Sequence, residues 1–281
     1  MHLDYTLFSA GYCSHPECIT IKGGRWCSQK YPALCALIKH PEYGNILFDT
    51  GYSPRFFEET KKWPLWLYKK ITPVKIPNEE TLIYQLQQKD INPEDIAYIV
   101  LSHFHADHIA GIRDFPNAKI ICSRLGFNAV KRTKGIAALK KGFIAGLLPD
   151  DFESRLTFLE DKKAIPLDNF MRPFVEGVDI FGDGSLIAVS LPGHAVGQFG
   201  LLFTDSSQKQ VFLVADSCWS SKAYRDYKLP STITYLIHDK KSAYQNTLSK
   251  LHRLYNQNKK IRIVPSHCQE VWQELLEADN A

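Results

Sequence analysis

Residues 101–111 read LSHFHADHIAG, with three histidines and an aspartate inside the six-residue core HFHADH. His103 and His105 are two apart, so in extended chain both side chains project to one side and can grip one ion. Asp107 and His108 follow where the chain turns into HIAGIRDF, so they can face a neighbouring ion. Neutral imidazole and carboxylate suit Zn, Fe, Mn or Co better than Mg or Ca, whose sites are dominated by oxygen. Three later apolar runs end the same way: SLP runs into His194, FLVA into Asp216 and IVPS into His267. Strand ends along one sheet edge are fixed points from which side chains converge, so four such endings point to one site. The remaining histidines, His2, His15, His40, His238 and His252, stand alone and read as ordinary core or surface groups.

The elements that must position these residues are visible as short apolar runs bounded by turn residues. They are residues 33–38, 45–51, 96–102, 118–123, 185–193, 199–204, 210–217 and 261–267, strand-length and rich in Ile, Val, Leu and Phe. Helical spacing appears in 79–90, with Leu82, Ile83 and Leu86 after a capping Asn78. It recurs in 242–258, with Tyr244, Leu248, Leu251 and Leu254 or Tyr255. Strands in both halves with helices to cover them predict two packed sheets flanked by helices, a layered α/β fold.

No Gly/Ser-rich linker divides the 281 residues, so one domain over 1–281 is expected, with insertions at about 53–77 and 126–153. The net charge of +4 is too small and too dispersed to drive nucleic-acid binding, although KRTK at 131–134 and Lys140–Lys141 lie close together. The start MHLDYTLFSAG has no basic head followed by a long apolar run, and no window is apolar enough to span a membrane. A soluble cytoplasmic protein is therefore expected. Seven cysteines, an odd number, fit reduced thiols there better than a disulfide framework, and Cys13, Cys18, Cys27 and Cys35 lack the paired spacing of a structural zinc site.

The ordered set of HxHxDH at 103–108, PGH at 192–194, the aspartate of VADS at 216 and the histidine of PSH at 267 resembles the metallo-β-lactamase-fold hydrolases. FDTG at 48–51 is similar to the strand and turn that precede the site in that family, and the resemblance spans roughly residues 33–270. It implies a four-layer αββα sandwich and a site for two divalent metal ions, zinc first, with Fe, Mn or Co also compatible. In that scheme His103, His105 and His194 hold one ion, Asp107, His108 and His267 the other, and Asp216 bridges both. Asp49 would orient a ligand histidine by hydrogen bonding. The implied chemistry is attack by a metal-bridging hydroxide on a polarised acyl or phosphoryl centre, with Asp107 passing a proton to the leaving oxygen.

LPGHAVGQFGLLF and HPEYGNILFDTGYSP are similar to stretches of the N-acyl homoserine lactone lactonases within that family. The expected substrate is accordingly a small lactone or ester with an apolar acyl chain, which would make the protein a quorum-quenching lactonase. Three positions depart from a well-known lactonase branch. Trp219 stands where that branch has a carbonyl-polarising tyrosine, Tyr224 lies five residues further on as a substitute if its loop folds back, and Ala106 replaces a bulky aromatic beside the metals. All three are expected at the substrate. The aromatic insertion at 53–74 reads as an acyl-binding wall, satellite core or dimer interface, and 126–152 as a lid or a contact between the subunits of a homodimer ahead of a contact with an anionic surface. The alternatives are a phosphodiesterase or thioester hydrolase of the same fold and, outside enzymes, a metal-binding regulatory module.

Overall fold

A computed structural model describes residues 1–279. Thirteen strands form two sheets. In chain order they are β1 (Asp4–Pro16), β2 (Ser28–His40), β3 (Gly44–Phe48), β4 (Val74–Lys75), β5 (Ile96–Val100), β6 (Lys119–Cys122), β7 (Leu156–Phe158), β8 (Ala164–Pro166), β9 (Glu176–Asp179), β10 (Ile187–Ser190), β11 (Phe199–Thr204), β12 (Gln210–Ala215) and β13 (Arg262–Pro265). One sheet has the order β4-β1-β2-β3-β5-β6-β7, the other β13-β12-β11-β10-β9-β8.

Strand periodicity sorts the apolar side chains into three layers. Ala36, Ile38, Ile46, Phe48, Val100 and Ile121 of the first sheet meet Ala188, Leu201, Phe203, Val211, Leu213 and Val264 of the second, forming the inter-sheet core. Their sequence neighbours Leu37, Leu47, Ile99 and Ile120 point outward into a second cluster with Leu82, Leu86, Ile109 and Phe127. On the far side, Val189, Leu202, Phe212 and Val214 pack on Tyr244, Leu248, Leu251 and Leu254 of the helix Lys241–Gln257. Each of those leucines is fully buried, worth about 1.5–3 kcal/mol of transfer free energy. Helix, sheet, sheet and helix thus make the expected four layers. Among the described residues, no helix is long and apolar enough to cross a membrane.

Eight of the strands fall on the runs legible in the sequence, whereas β1, β4, β7, β8 and β9 do not. The longest omission, β1, reads DYTLFSAGYCSHP. Its alternation breaks at Gly11, where φ is +75° and the pairing with β2 shifts register between Ser9 and Tyr12. The predicted helix at 79–90 is shorter, Leu82–Gln87, and its cap is Thr81, whose hydroxyl accepts from the Tyr84 N–H; Asn78 instead begins a separate 3₁₀ turn. The insertion at 53–77 joins the core. Phe56 is fully buried with its ring edge-on to Tyr52 and Tyr68, while Trp63 lies at the surface beside Trp66.

Strand direction explains where the site lies. β3, β5 and β6 run parallel; β10 and β12 both run antiparallel to β11, and β13 runs parallel to β12. The C-terminal ends of β3, β5, β10, β12 and β13 therefore open on one edge of the sandwich, immediately before Asp49, His103, His194, Asp216 and His267. Backbone bonds from Leu34 N–H to Ser266 O (2.8 Å) and from Phe199 N–H to Ser102 O (3.3 Å) lock the two sheets together at that edge.

Gly193 shows how tightly the edge is built. Its φ is +126°, and a Cβ there would lie 2.0 Å from the backbone nitrogen of Tyr244. The same turn is clamped by Lys240 N–H donating to Gly193 O and Asp239 N–H donating to His194 O, both 3.0 Å. Gly193→Ala is expected to cost at least ~2 kcal/mol of unfolding free energy by urea titration, because neither backbone can retreat.

Candidate metal centre

The structure brings seven side chains into one buried cluster. One ligand atom from each of His103, His105, His194 and Asp216 lies within 4.8 Å of the others, and the same holds for Asp107, His108, Asp216 and His267. Asp216 belongs to both groups. Its Oδ2 is 3.0 Å from His267 Nε2 and 3.3 Å from His194 Nε2, while Oδ1 is 3.3 Å from His108 Nε2. His194 Nε2 is 2.9 Å from His105 Nδ1, and Asp107 Oδ2 is 3.3 Å from His267 Nε2.

Each position has a local cause. After β5 the chain carries no regular structure through Phe104, and His105, itself extended, precedes the single helical turn Ala106–Ile109, so Asp107 and His108 leave that turn side by side. Ala215 has φ +46° at the end of β12, which turns Asp216 out of the strand. The outward nitrogens are held from behind. His108 Nδ1 meets Asp49 Oδ2 at 2.7 Å, His103 Nδ1 meets Ser102 Oγ at 3.0 Å, and His267 Nδ1 meets the carbonyl of Pro32 at 2.7 Å. Asp49 also accepts from the N–H and hydroxyl of Ser102 at 2.8 and 2.7 Å.

Burial disfavours charge on every group here. In His103 and His194 it prevails, reinforced by neighbouring imidazoles, and proton affinity falls well below the usual histidine range. In His108 and His267 the surrounding carboxylates outweigh burial, and proton affinity rises well above it. Burial likewise opposes ionisation of Asp107 and Asp216, yet the charges of His108 and His267 keep both below the usual carboxylate range. His103 Nε2, His108 Nε2 and Asp216 Oδ1 are buried and make no hydrogen bond among the described residues. A set of inward-facing nitrogens and carboxylate oxygens that crowd together without hydrogen bonds fits divalent cations, which need deprotonated N and O donors.

The substrate residues expected from sequence are distributed differently. Trp219 is at the cluster, its ring 4.4 Å from that of His267 and 5.4 Å from Tyr31. Tyr224 is not brought to it. The residue is buried among the side chains beneath the helix Lys241–Gln257, and its hydroxyl donates to Ile263 O at 3.3 Å. The cause is local, because the Ser220 hydroxyl caps the helix Ser221–Arg225 and directs Tyr224 inward. Ala106 is fully buried and does not line the cavity beside His105; its N–H donates to Gly142 O (3.0 Å), and Gly142 is pressed against the His105 ring.

Three features escaped the sequence reading. Ser102 links Asp49 to His103, and only its place before the first histidine marked it. Tyr52 is buried and Tyr68 half-buried, and burial, then the charge of Asp107, raises both phenols well above the usual tyrosine range. His238, read as an isolated histidine, has its ring 4.9 Å from that of His194 and neither nitrogen hydrogen-bonded. No motif surrounds it; the loop that clamps Gly193 carries it there.

Two sheets layered by helices, with ligand-type side chains after four strand ends and a supporting aspartate after a fifth, define a metal-dependent hydrolase fold. The chain belongs to the metallo-beta-lactamase superfamily, whose model matches residues 30–250. It is 26% identical over 233 residues to the N-acyl homoserine lactonase AiiB of Rhizobium rhizogenes, covering 83% of this chain and 78% of that one. To the N-acyl homoserine lactonase AttM of Rhizobium radiobacter it is 24% identical over 260 residues, covering 92% and 90%. Its fold matches that of an N-acyl homoserine lactone hydrolase with the product N-hexanoyl-L-homoserine bound at the catalytic metal centre, with a TM-score of 0.70, 19% identity and 98% and 97% of the two chains covered. It also matches AidC, a dizinc quorum-quenching lactonase, with a TM-score of 0.63, 17% identity and 95% and 88% covered.

Asp49 is the cleanest probe of the supporting bonds, because its φ of +60° is a conformation that asparagine also adopts. Asp49→Asn is expected to weaken metal binding by about 10–100-fold in a chelator-competition titration, with the circular dichroism of the fold retained.

Proposed function

We propose that this protein is a dinuclear metal-dependent hydrolase that opens lactones, with N-acyl homoserine lactones as the leading substrate class. The observation that carries the reading is the pair of ligand groups sharing Asp216. His103, His105 and His194 would hold one cation, Asp107, His108 and His267 the other, and Asp216 both. Two divalent ions, zinc first among Zn, Fe, Mn and Co, supply when bound a Lewis acid for the acyl oxygen and easier ionisation of water near neutral pH. The lactonase relatives support the choice of an acyl over a phosphoryl substrate.

The chain's own groups then have distinct tasks. Asp107 is the more exposed of the two carboxylates in the cluster, 7% against 1% for Asp216, and its Oδ2 is 3.6 Å from His108 Nε2. It is the group placed to accept a proton and return it to the leaving alkoxide oxygen. Trp219 offers a flat wall against His267 and one N–H donor. Tyr224 would have to leave the core to reach the substrate, so no step is assigned to it. The chain is proposed to act as one domain in the cytoplasm, a placement supported by seven unpaired thiols.

Purified protein should be assayed on acyl homoserine lactones, bis-p-nitrophenyl phosphate and a thioester, before and after chelation. The expected outcome is lactone opening that chelation abolishes and divalent metal restores; preference for the phosphodiester would sink the lactonase reading. Asp107→Asn should lower kcat by about 10²–10⁴-fold. Wild-type turnover in that variant would remove the proton-transfer role.

A further inference from the structure

Beside His105 and His194 lies a cavity of about 370 Å³, within the size range of small-molecule sites. One wall is Ala129, Val130 and Ala137, from the helices Arg124–Val130 and Gly135–Lys140 in the second insertion. The opposite wall is Val196 and Ile237, and Phe104 also lines it. Lys140, Lys141 and Asp239 border the same space; lysine stems can cover an apolar chain while their ammonium groups stay in water. The insertion is fixed in place, because Gly126 lets its helix approach the carbonyl of Val196 so closely that a Cβ would lie 3.0 Å from it.

His238 lines this cavity next to the two ligand-type histidines. Its ring stands 4.9 Å from His194 and 4.5 Å from Tyr244, and both nitrogens are buried without a hydrogen-bond partner. An imidazole offers hydrogen-bonding capacity that a hydrocarbon cannot satisfy. A ligand that uses it must therefore carry a polar group close to the reacting carbonyl and an apolar chain beyond.

We propose that this cavity is the acyl subsite and that His238 is a specificity-determining residue that hydrogen-bonds the amide joining the acyl chain to the lactone ring. The assignment rests on the lactonase reading above. It makes the preferred substrate an acylamino lactone of medium to long chain, rather than a simple alkyl lactone or a bulky aromatic ester.

Two variants test it, with metal content and circular dichroism recorded for each. Ala137→Trp fills the cavity from an exposed helical position, and His238→Phe keeps the ring while removing both nitrogens. The substrates are N-acyl homoserine lactones from butanoyl to dodecanoyl, together with γ-alkyl lactones of matched length. Ala137→Trp should lower the dodecanoyl-to-butanoyl ratio of kcat/KM by at least ~10-fold. His238→Phe should lower the preference for acylamino over alkyl lactones by ~10-fold, mainly through KM. An unchanged length ratio overturns the acyl subsite, and an unchanged amide preference overturns the role of His238. Loss of metal from His238→Phe would assign that residue to the support of His194 and overturn its substrate role. Failure of the wild type on every lactone would instead sink the underlying reading.

Discussion

Five imidazoles and two carboxylates occupy one buried volume, and several of their inward atoms make no hydrogen bond among the described residues. Leaving a buried polar atom unpaired costs about 1–3 kcal/mol, so this arrangement would scatter unless each side chain were held from its outer side. The outer bonds are specific. Asp49 holds His108, Ser102 holds His103, and the Pro32 carbonyl holds His267. Because Pro32 lies in one sheet and His267 follows a strand of the other, the last bond also fixes how the two sheets sit together. The neighbouring Leu34–Ser266 backbone bond adds to that joint. The architecture and the site are thus one mechanical problem, in which displacing a sheet displaces a ligand.

His194 departs from this pattern. Its Nδ1 is buried and unbonded among the described residues, so on its outer side it is held by packing and by the backbone clamp on Gly193 and its own carbonyl, while Nε2 meets His105 and Asp216 within the cluster. The helix Lys241–Gln257 begins at that clamp, and its buried leucines anchor it to the second sheet. A residue placed by packing is more exposed to changes in its surroundings than one placed by a carboxylate. The surroundings here are the His238 ring and the cavity, where the proposed acyl subsite meets the support of the centre.

Much of the site was legible in the sequence because its chemistry is concentrated. HFHADH supplies four of the seven side chains, and the other three each end an apolar strand. Fold class was legible for a related reason, since strands buried on both faces leave uninterrupted apolar runs. What escaped reading depended on long-range placement. β1 hid its pairing behind a bulge at Gly11, and His238 has no local pattern because its neighbour across space is 44 residues earlier in the chain. Tyr224 misled for the opposite reason: it is near Asp216 in sequence, but a capped helical turn sends its phenol into the core.

The fate of Ala106 shows how one small side chain redistributes space. A small residue beside a metal centre reads as an enlarged pocket, yet the insertion supplies Gly142, whose carbonyl bonds the Ala106 N–H and whose bare Cα rests against His105. Only glycine fits there, with φ +59° and a Cβ position 2.7 Å from the imidazole. The insertion thereby presses directly on a ligand-type histidine, and His105 also lines the open volume bordered by Ala137 and Ile237. The second insertion supplies one wall of that pocket, and Phe104 and His105 of the motif line it together with residues 194–196 and 237–239. Relatives that share HxHxDH but differ across 126–152 are accordingly expected to differ in the acyl groups they accept while keeping the same centre.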